Sequence, residues 1–268
     1  MVLRLLRGGF GAAIVFFLLA PIVAILPLAF TDSIFLTYPI PAWSLRWFEE
    51  LGTSEIWRRS ILNSLIVGLS ATAIAVLIGT LAALGLRRAA LPFPTLLRTV
   101  FLLPMVVPAV VLGVGMQILY VRLGLASTYP GVIVAHAVLC APFVVVTVSA
   151  SLAGIDAAVE RSASSLGADP LQVFRHVTLP LAAPGVVSGA VFAFATSLDE
   201  VVLTLFVAGP NQRTLARQMF SSIRENISPA VAAAALLLIA GTLCLAGLAA
   251  AVRSRRGQAI GFGRDQPE

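Results

Sequence analysis

The sequence predicts an all-α integral membrane protein with six transmembrane helices. Of its 268 residues, 59% are hydrophobic and only 11% are charged, and the mean hydropathy is +0.99. One soluble core of this size cannot bury so much apolar surface. Apolar runs long enough to cross roughly 30 Å of hydrocarbon as helices of about 20 residues lie near residues 9–30, 61–86, 99–120, 131–153, 184–208 and 230–252.

The first two runs have features of retained, closely packed spans. Run 9–30 is longer than the apolar core of roughly 7–15 residues in a secretory signal, so we expect it to be retained. In run 61–86, Ala75, Gly79 and Ala83 recur every four residues. Small side chains at this interval let helix backbones approach one another closely.

The third run predicts a bent helix. Its sequence LLPMVVPAVVLGVGMQ places Pro104 and Pro108 one turn apart and then Gly113 and Gly115. A proline inside a helix removes a backbone hydrogen bond and clashes with the preceding turn. We therefore expect a bend here, although a bend alone identifies no function.

The distribution of arginine predicts the orientation. Cytoplasmic loops of membrane proteins are enriched in positive charge, and all 18 basic residues of this chain are arginine. A cytoplasmic N-terminus places eleven of them inside, namely Arg4, Arg7, Arg87, Arg88, Arg98, Arg161, Arg175, Arg253, Arg255, Arg256 and Arg264. Both termini are then predicted to be cytoplasmic.

The segment 31–59 is predicted to lie outside. It holds all three tryptophans of the chain, Trp43, Trp47 and Trp57. These rings are expected either at the membrane interface or in ordinary packing of a loop over the bundle. Ser44 can cap a short helix with Leu45, Phe48 and Leu51 on one side.

The chain has few residues suited to soluble-enzyme chemistry. His136 and His176 have no second His or Cys at metal-ligand spacing, so we expect no metal site. Cys140 and Cys244 fall in apolar runs, where free thiols behave as small hydrophobes. The sequence contains no lysine, which excludes the phosphate-binding GxxxxGK[ST] loop. We therefore expect no catalytic residues, and any ATP hydrolysis must come from a partner.

The segment between the fourth and fifth runs predicts helix, turn, helix in the cytoplasm. Ala157–Leu166 is helix-permissive, Gly167 can end that helix in a left-handed conformation, and Asp169 with Pro170 favours the start of the next. The second helix is predicted to run to about Val177.

That second helix has an apolar face. The face is formed by Leu171, Phe174, Val173 and Val177. A solvated loop does not need it, so a partner is expected to cover it; the alternative is packing against the chain itself.

The same segment resembles the cytoplasmic EAA loop of ABC-importer membrane subunits. That pattern has Glu-Ala-Ala, Gly six residues after the Glu, and Ile-x-Leu-Pro beginning ten residues after the Gly. Gly167, Val177, Leu179 and Pro180 keep this spacing. The second half of the motif is therefore present.

The first half of the motif departs from the pattern. Arg161 stands where the motif Glu is expected, Ser162 replaces the first Ala, Ala163 matches the second, and Glu160 lies one residue early. The resemblance implies that an ATPase docks at this segment. It implies coupling roles for Glu160, Arg161, Ala163, Gly167, Phe174, Leu179 and Pro180.

The resemblance extends over nearly the whole chain. Four short phrases carry this resemblance, and in chain order they are SLRWFEEL, WRRSILNSL, SLDEVVLTLFVAGP and TLARQMFSSIRENISP. Together they make this chain similar to the second permease of spermidine/putrescine-type importers. This implies the type I ABC-importer permease (MetI-like) fold. It also implies a single transmembrane permease domain over 1–268, with a cytoplasmic coupling loop at 154–183 and a polar C-terminal tail at 253–268.

The resemblance also implies partners. They are a second permease subunit, two cytoplasmic ATPase subunits that bind ATP and Mg²⁺, and an extracytoplasmic solute-binding protein, all at the bacterial inner membrane. Polyamines are the implied cargo, with another small organic solute or cation as the alternative. We expect no cofactor in this chain and no nucleic-acid partner.

Asp199 and Glu200 interrupt the apolar stretch AFATSLDEVVLTLF. Carboxylates in lipid cost free energy unless they pair or function. We expect them to form an anionic lining for a cationic substrate. Pairing with an arginine, or a local helix break capped by Asp199, are the alternatives.

Two other classes of function explain the sequence less completely. A channel accounts for the spans but not for the helical inner segment. An intramembrane enzyme could use Asp199 and Glu200 as acid and base, but the sequence places no Ser/His or metal set beside them.

The predicted topology is testable with reporter fusions. Fusions after Arg88, within 209–229 and after Arg256 should report inside, outside and inside, because arginine collects on the cytoplasmic side. A cytoplasmic signal from 209–229 would contradict the six-span topology.

Overall fold

The computed structural model describes residues 2–87 and 92–261, which are helical almost throughout. Arg88, Arg264 and the part of the predicted tail beyond Gly261 lie outside the described residues. The α-helices of the described ranges are α1 Val2–Ile25, α2 Arg46–Thr53, α3 Glu55–Leu86, α4 Pro94–Val106, α5 Ala109–Leu123, α6 Tyr129–Ala153, α7 Ala157–Ser165, α8 Pro170–Val173, α9 Leu179–Asp199, α10 Val202–Val207, α11 Leu215–Glu225 and α12 Ala230–Gly261.

The chain divides into two compact units. One comprises the residues up to Arg59 together with Gln218–Gly241, and the other comprises Ser60–Arg217 and the residues from Thr242 onward. The prediction of a single domain stays a prediction.

In the first unit, α1 is followed by the 3₁₀ turn Leu26–Phe30 and an irregular segment leading to α2. Trp47 donates its ring N–H to the Thr31 carbonyl at 2.8 Å, and Trp47 and Trp57 are buried. Trp47 therefore packs within the unit, and the exposed Trp43 is the ring that fits an interfacial position.

The short helix predicted after Ser44 is present, and Ser44 Oγ accepts the backbone N–H of Arg46 at 3.1 Å. Its buried face differs from the prediction. Trp47 and Leu51 are buried, whereas Leu45 is exposed. The reason is that Leu45 precedes the first helical residue, so the helical spacing does not apply to it.

The second unit is organised around α6. This helix packs along α9 and also contacts α4 and α10, while α10 packs against α5. Small residues make the contacts close. A Cβ on Gly189 of α9 would lie 3.0 Å from the Val144 Cα atom of α6, and one on Gly79 of α3 would lie 2.7 Å from the Val144 Cβ atom. Ala75 and Ala83 are buried in the same cluster, so the close packing predicted for this pattern is confirmed.

Five helical segments of the described residues are long and apolar enough to cross a membrane. They are Arg7–Phe30, Glu55–Leu86, Tyr129–Ala153, Pro170–Asp199 and Ala230–Ala251. A sixth is obtained if α4 and α5 count as one broken span. The run near 99–120, predicted as one bent helix, is therefore made of two helices, Pro94–Val106 and Ala109–Leu123.

The break in that third run lies at Val107 and Pro108, where α4 and α5 meet at 101°. Pro108 has no backbone N–H to donate, and it becomes the cap of α5. Pro104 lies inside α4. The predicted bend is confirmed, and it is much sharper than a kink.

The fifth run also differs from its predicted bounds of 184–208. α8 continues through the π-helical turn Phe174–Thr178 directly into α9, so the second loop helix does not end at Val177. α9 then ends at Asp199, and α10 begins at Val202. The span therefore starts earlier and stops at the acidic pair.

Candidate functional site

Local capping shapes residues 154–183, the segment predicted to be the coupling loop. Asp156 accepts the N–H of Ala158 at 2.8 Å and so starts α7. Gly167 has φ +91, the left-handed conformation that glycine adopts at little cost. Asp169 accepts the N–H of Gln172 at 2.8 Å, and the Gln172 side chain accepts the N–H of Asp169 at 3.0 Å. The predicted turn and cap are confirmed.

The turn between α7 and α8 exposes apolar side chains. Leu166 is 90% exposed and Leu171 is 55% exposed, and Arg161 and Gly167 are exposed as well. We call Leu166, Gly167 and Leu171 the tip of the coupling loop. Leu166 and Leu171, on either side of Gly167, are the most exposed large apolar side chains of residues 154–183.

Glu160 is bound inside its own chain. Its Oε1 atom accepts hydrogen bonds from Arg87 Nη1 and Thr178 Oγ1, each at 2.7 Å. Arg87 also donates to the Ile155 carbonyl at 3.1 Å. We call Arg87, Glu160 and Thr178 the latch, because they join the end of α3 to α7 and to the turn before α9.

The environment of Glu160 favours its charged form. Burial raises the pKa of Glu160, but the hydrogen bonds from Thr178 and Arg87 and the positive charge of Arg87 lower it, so its pKa lies below the ordinary value of 4.5. About a quarter of each side chain remains exposed, 26% for Arg87 and 27% for Glu160. The ion pair is therefore partly shielded from water.

Of the other residues predicted to take part in coupling, Gly167 lies at the tip and Phe174 lines a groove beside the latch. The groove has a volume of about 720 Å³ and is lined by the latch and by apolar residues such as Leu81, Val173 and Phe174. Phe174 is half-buried in this groove, and Ala163 of α7 is also half-buried but is not part of the groove lining. Leu179 and Pro180, by contrast, are exposed at the start of α9.

Asp199 and Glu200 lie where the fifth span breaks. Asp199 is the last residue of α9 and is exposed. Glu200 is half-buried in extended conformation, and its carboxylate accepts the N–H of Leu203 at 2.6 Å. The local helix break that was one of the alternatives for this pair is therefore present. The residue that caps the helix after the break is Glu200, whereas the alternative assigned that cap to Asp199.

A buried histidine lies beside the break. His136 of α6 is fully buried, with its ring nitrogens 2.8 Å from Ser197 Oγ and 3.0 Å from Thr204 Oγ1. Sequence reasoning found no partner for this residue because its two partners are 61 and 68 residues away.

The chain that follows α10 is anchored to α3. Asn63 Nδ2 donates to the carbonyls of Asn211 and Arg213, each at 2.9 Å. Asn63 Oδ1 accepts the Tyr129 hydroxyl at 2.7 Å. The far side of the break is thus held by side chains of α3 and α6.

Within the described part of the chain, no three or more His, Cys, Asp or Glu residues form a group suited to a metal ion.

Comparison with known proteins gives concordant results. The model of the family described as "Binding-protein-dependent transport system inner membrane component" matches residues 75–258. The chain is 31% identical over 245 residues to the spermidine/putrescine transport system permease protein PotC of Escherichia coli K12, covering 91% of this chain and 92% of PotC. It is 33% identical over 234 residues to the putrescine transport system permease protein PotI of the same strain, covering 83% and 82%.

The fold also matches solved structures. A bacterial ABC transporter that imports the acidic polysaccharide alginate superposes with a TM-score of 0.73 at 13% identity, covering 92% of this chain and 95% of the matched chain. The predicted type I ABC-importer permease fold is confirmed by this likeness together with the family match.

The latch makes a stability prediction. Glu160→Gln removes the counter-ion of a partly buried guanidinium, so we expect the free energy of unfolding to fall by about 1–3 kcal/mol. Thermal unfolding of the purified chain in detergent at pH 7 measures this. Because the pKa of Glu160 is lowered on folding, its stabilisation is complete above 4.5 and disappears as the pH falls through the lowered value.

Glu55→Gln is the matched control for this prediction. Glu55 pairs with Arg59 at 2.6 Å, but both side chains are more than 60% exposed, at 64% and 62%. An exposed pair of this kind contributes about 0.3–0.5 kcal/mol. Equal destabilisation by the two variants, or a Glu160→Gln effect that persists in acid, would contradict the latch.

Proposed function

The chain belongs to the family of binding-protein-dependent transport system inner membrane components, and on that premise we propose that it is the permease of an ATP-driven importer of polyamines such as spermidine and putrescine. The observation that carries the proposal is the 31% identity to a spermidine/putrescine permease over 91% of the chain. The exposed carboxylate at the broken fifth span agrees with a cationic cargo.

We propose that the working complex contains further subunits. They are a second, different permease subunit, two cytoplasmic ATPase subunits and an extracytoplasmic solute-binding protein. ATP and Mg²⁺ bind to the ATPase subunits, because this chain contains no lysine and so has no phosphate-binding loop of the GxxxxGK[ST] type. Both termini are cytoplasmic in this arrangement, as the arginine distribution favours.

The coupling loop supplies the contact with an ATPase. Its tip has a rigid backbone, since caps at Asp156 and Asp169 fix both short helices. Its leucines are exposed, and an apolar pocket on the ATPase would bury them. Arg161, in the place of the motif glutamate, would then meet an acidic group of the partner, which reverses the charge pattern of the family motif.

Motion of the tip reaches the membrane by two direct connections. α8 runs through the π-helical turn into α9 without an intervening loop. The latch joins α7 to the end of α3. A rigid-body shift of the ATPase would therefore move α3 and α9 together, because packed helices move as units between discrete arrangements.

We assign the acidic pair to the substrate pathway with unequal roles. Asp199 is exposed and has no hydrogen-bond or ion-pair partner among the described residues, so its charge is available to an ammonium group. Glu200 holds the start of α10 and adds negative potential beside it. Together they lower the cost of passing a cation through the bundle.

Docking at the tip is tested by Leu166→Asp. A carboxylate placed in an apolar contact must be desolvated, and a loss of only about 1.4 kcal/mol lowers the association constant about tenfold. We therefore expect about tenfold less ATPase to copurify with this variant at normal permease level. Leu166→Met is the control, since it keeps an apolar side chain and should retain the ATPase. Full retention by Leu166→Asp would exclude the tip from the contact.

The pathway is tested by uptake of labelled putrescine or spermidine into proteoliposomes containing the complex, the binding protein and ATP. Asp199→Asn removes the exposed charge and should slow uptake at least about tenfold, with ATPase binding retained. Glu200→Gln keeps an oxygen that can accept the Leu203 N–H and should retain most of the uptake.

The same assay tests the function itself. If the unsubstituted complex takes up neither polyamine in the presence of ATP, the proposed cargo is wrong. If Asp199→Asn transports normally while Glu200→Gln loses assembly, the acidic pair is structural.

A further inference from the structure

His136 links the two sides of the helix break. Its Nδ1 atom lies 2.8 Å from the hydroxyl of Ser197, which precedes the break on α9. Its Nε2 atom lies 3.0 Å from the hydroxyl of Thr204, which follows the break on α10. All three side chains are buried. One residue of α6 therefore holds the ends of two helices that the backbone no longer joins by helical hydrogen bonds.

The direction of these hydrogen bonds can be deduced. Thr204 Oγ1 donates its only hydrogen to the Glu200 carbonyl at 3.1 Å. When that bond is made, Thr204 Oγ1 accepts from Nε2–H of His136, and in this tautomer Nδ1 accepts the Ser197 hydroxyl. The bonds run in one sequence from Ser197 through His136 and Thr204 to the carbonyl of Glu200, within the break itself.

Helical geometry connects this sequence of bonds to Asp199. Successive residues of an α-helix are rotated by about 100°, so Ser197 and Asp199 lie about 200° apart around α9. Ser197 is 3% exposed and Asp199 is exposed, as this rotation requires. Holding Ser197 against α6 therefore fixes Asp199 on the opposite, open side of the helix.

We propose that His136 is a positioning residue of the transport pathway, which keeps the fifth span broken and so holds Asp199 toward the pathway. The inference rests on the proposed pathway role of Asp199. A break within hydrocarbon frees backbone groups that lipid cannot satisfy. Without His136, α9 and α10 can satisfy those groups by joining into one helix, for which the apolar sequence on both sides is suited, and Asp199 would lose its fixed direction.

The experiment measures the accessibility of position 199 in the purified complex in lipid nanodiscs. Asp199→Cys is introduced in a background in which Cys140 and Cys244, the two native cysteines, are replaced by alanine. The rate of reaction with a membrane-impermeant maleimide is then compared with and without His136→Leu. We expect His136→Leu to slow labelling about tenfold, because it removes two buried hydrogen bonds. His136→Gln, whose amide both donates and accepts, should restore most of the rate.

A pair of threonine variants provides the matched control. Thr204→Val removes the hydroxyl between His136 and the Glu200 carbonyl and should slow labelling as His136→Leu does. Thr72→Val removes a hydroxyl that is also buried but has no hydrogen-bond partner among the described residues, and it should change nothing. This pair also provides the test if His136→Leu fails to assemble.

Several outcomes would overturn the proposal. The first is that the Asp199→Cys complex does not react with the maleimide when His136 is unchanged. The second is that neither His136→Leu nor Thr204→Val changes the labelling rate. The third is that Thr204→Val and Thr72→Val slow labelling equally. The labelling needs no cargo, so its result is independent of the proposed function. Failure of that function appears separately, as a lack of polyamine uptake by the unsubstituted complex.

Discussion

The break after Asp199 is the constraint on which the rest of the second unit depends. A bilayer offers no hydrogen bonds to backbone groups, so a helix that stops inside it needs partners from the protein. Here the Glu200 carboxylate accepts the N–H of Leu203, and the Thr204 hydroxyl donates to the Glu200 carbonyl. His136 connects Thr204 to α9. These polar side chains at the break thus have structural partners, whereas Asp199 is exposed.

The same helical segment carries both candidate sites. Pro170–Asp199 is a run of 30 residues, which corresponds to about 45 Å of helix. The tip of the coupling loop lies next to its first turn, and the acidic pair lies at its end. The latch joins the π-helical turn of this run, at Thr178, to α3 and α7, and close contacts such as that of Gly189 fix the middle to α6. We propose that movement at one end of this packed element is transmitted to the other end.

Local sequence predicted much of this arrangement. The spans follow from hydropathy, because their length and apolarity are properties of continuous runs. The turn at Gly167 and the cap at Asp169 follow from the few residue types that tolerate those conformations. Pro104 and Pro108 marked the third span as bent, although not as two helices meeting at 101°.

Long-range polar pairs could not be predicted in this way. The partner of Glu160 is Arg87, 73 residues earlier, and nothing in the spacing of either residue indicates the pair. The break at Asp199 was only one of three alternatives, because both of its flanks are apolar and helix-permissive and because His136, which contacts both sides of it, lies far away in sequence on α6. Phe174 was assigned to an external apolar face from helical spacing alone, whereas the groove beside α3 already half-buries it.

The central claim is that the broken fifth span lines the route of a cation, and photo-crosslinking tests it most directly. A polyamine bearing an aryl azide is added to the complex in nanodiscs with its binding protein and ATP, the sample is illuminated, and adducts are mapped by mass spectrometry. The account predicts adducts on the peptide that contains Asp199 and Glu200, with excess unlabelled spermidine suppressing them. Adducts that are suppressible by spermidine but lie only on other parts of the complex would contradict it.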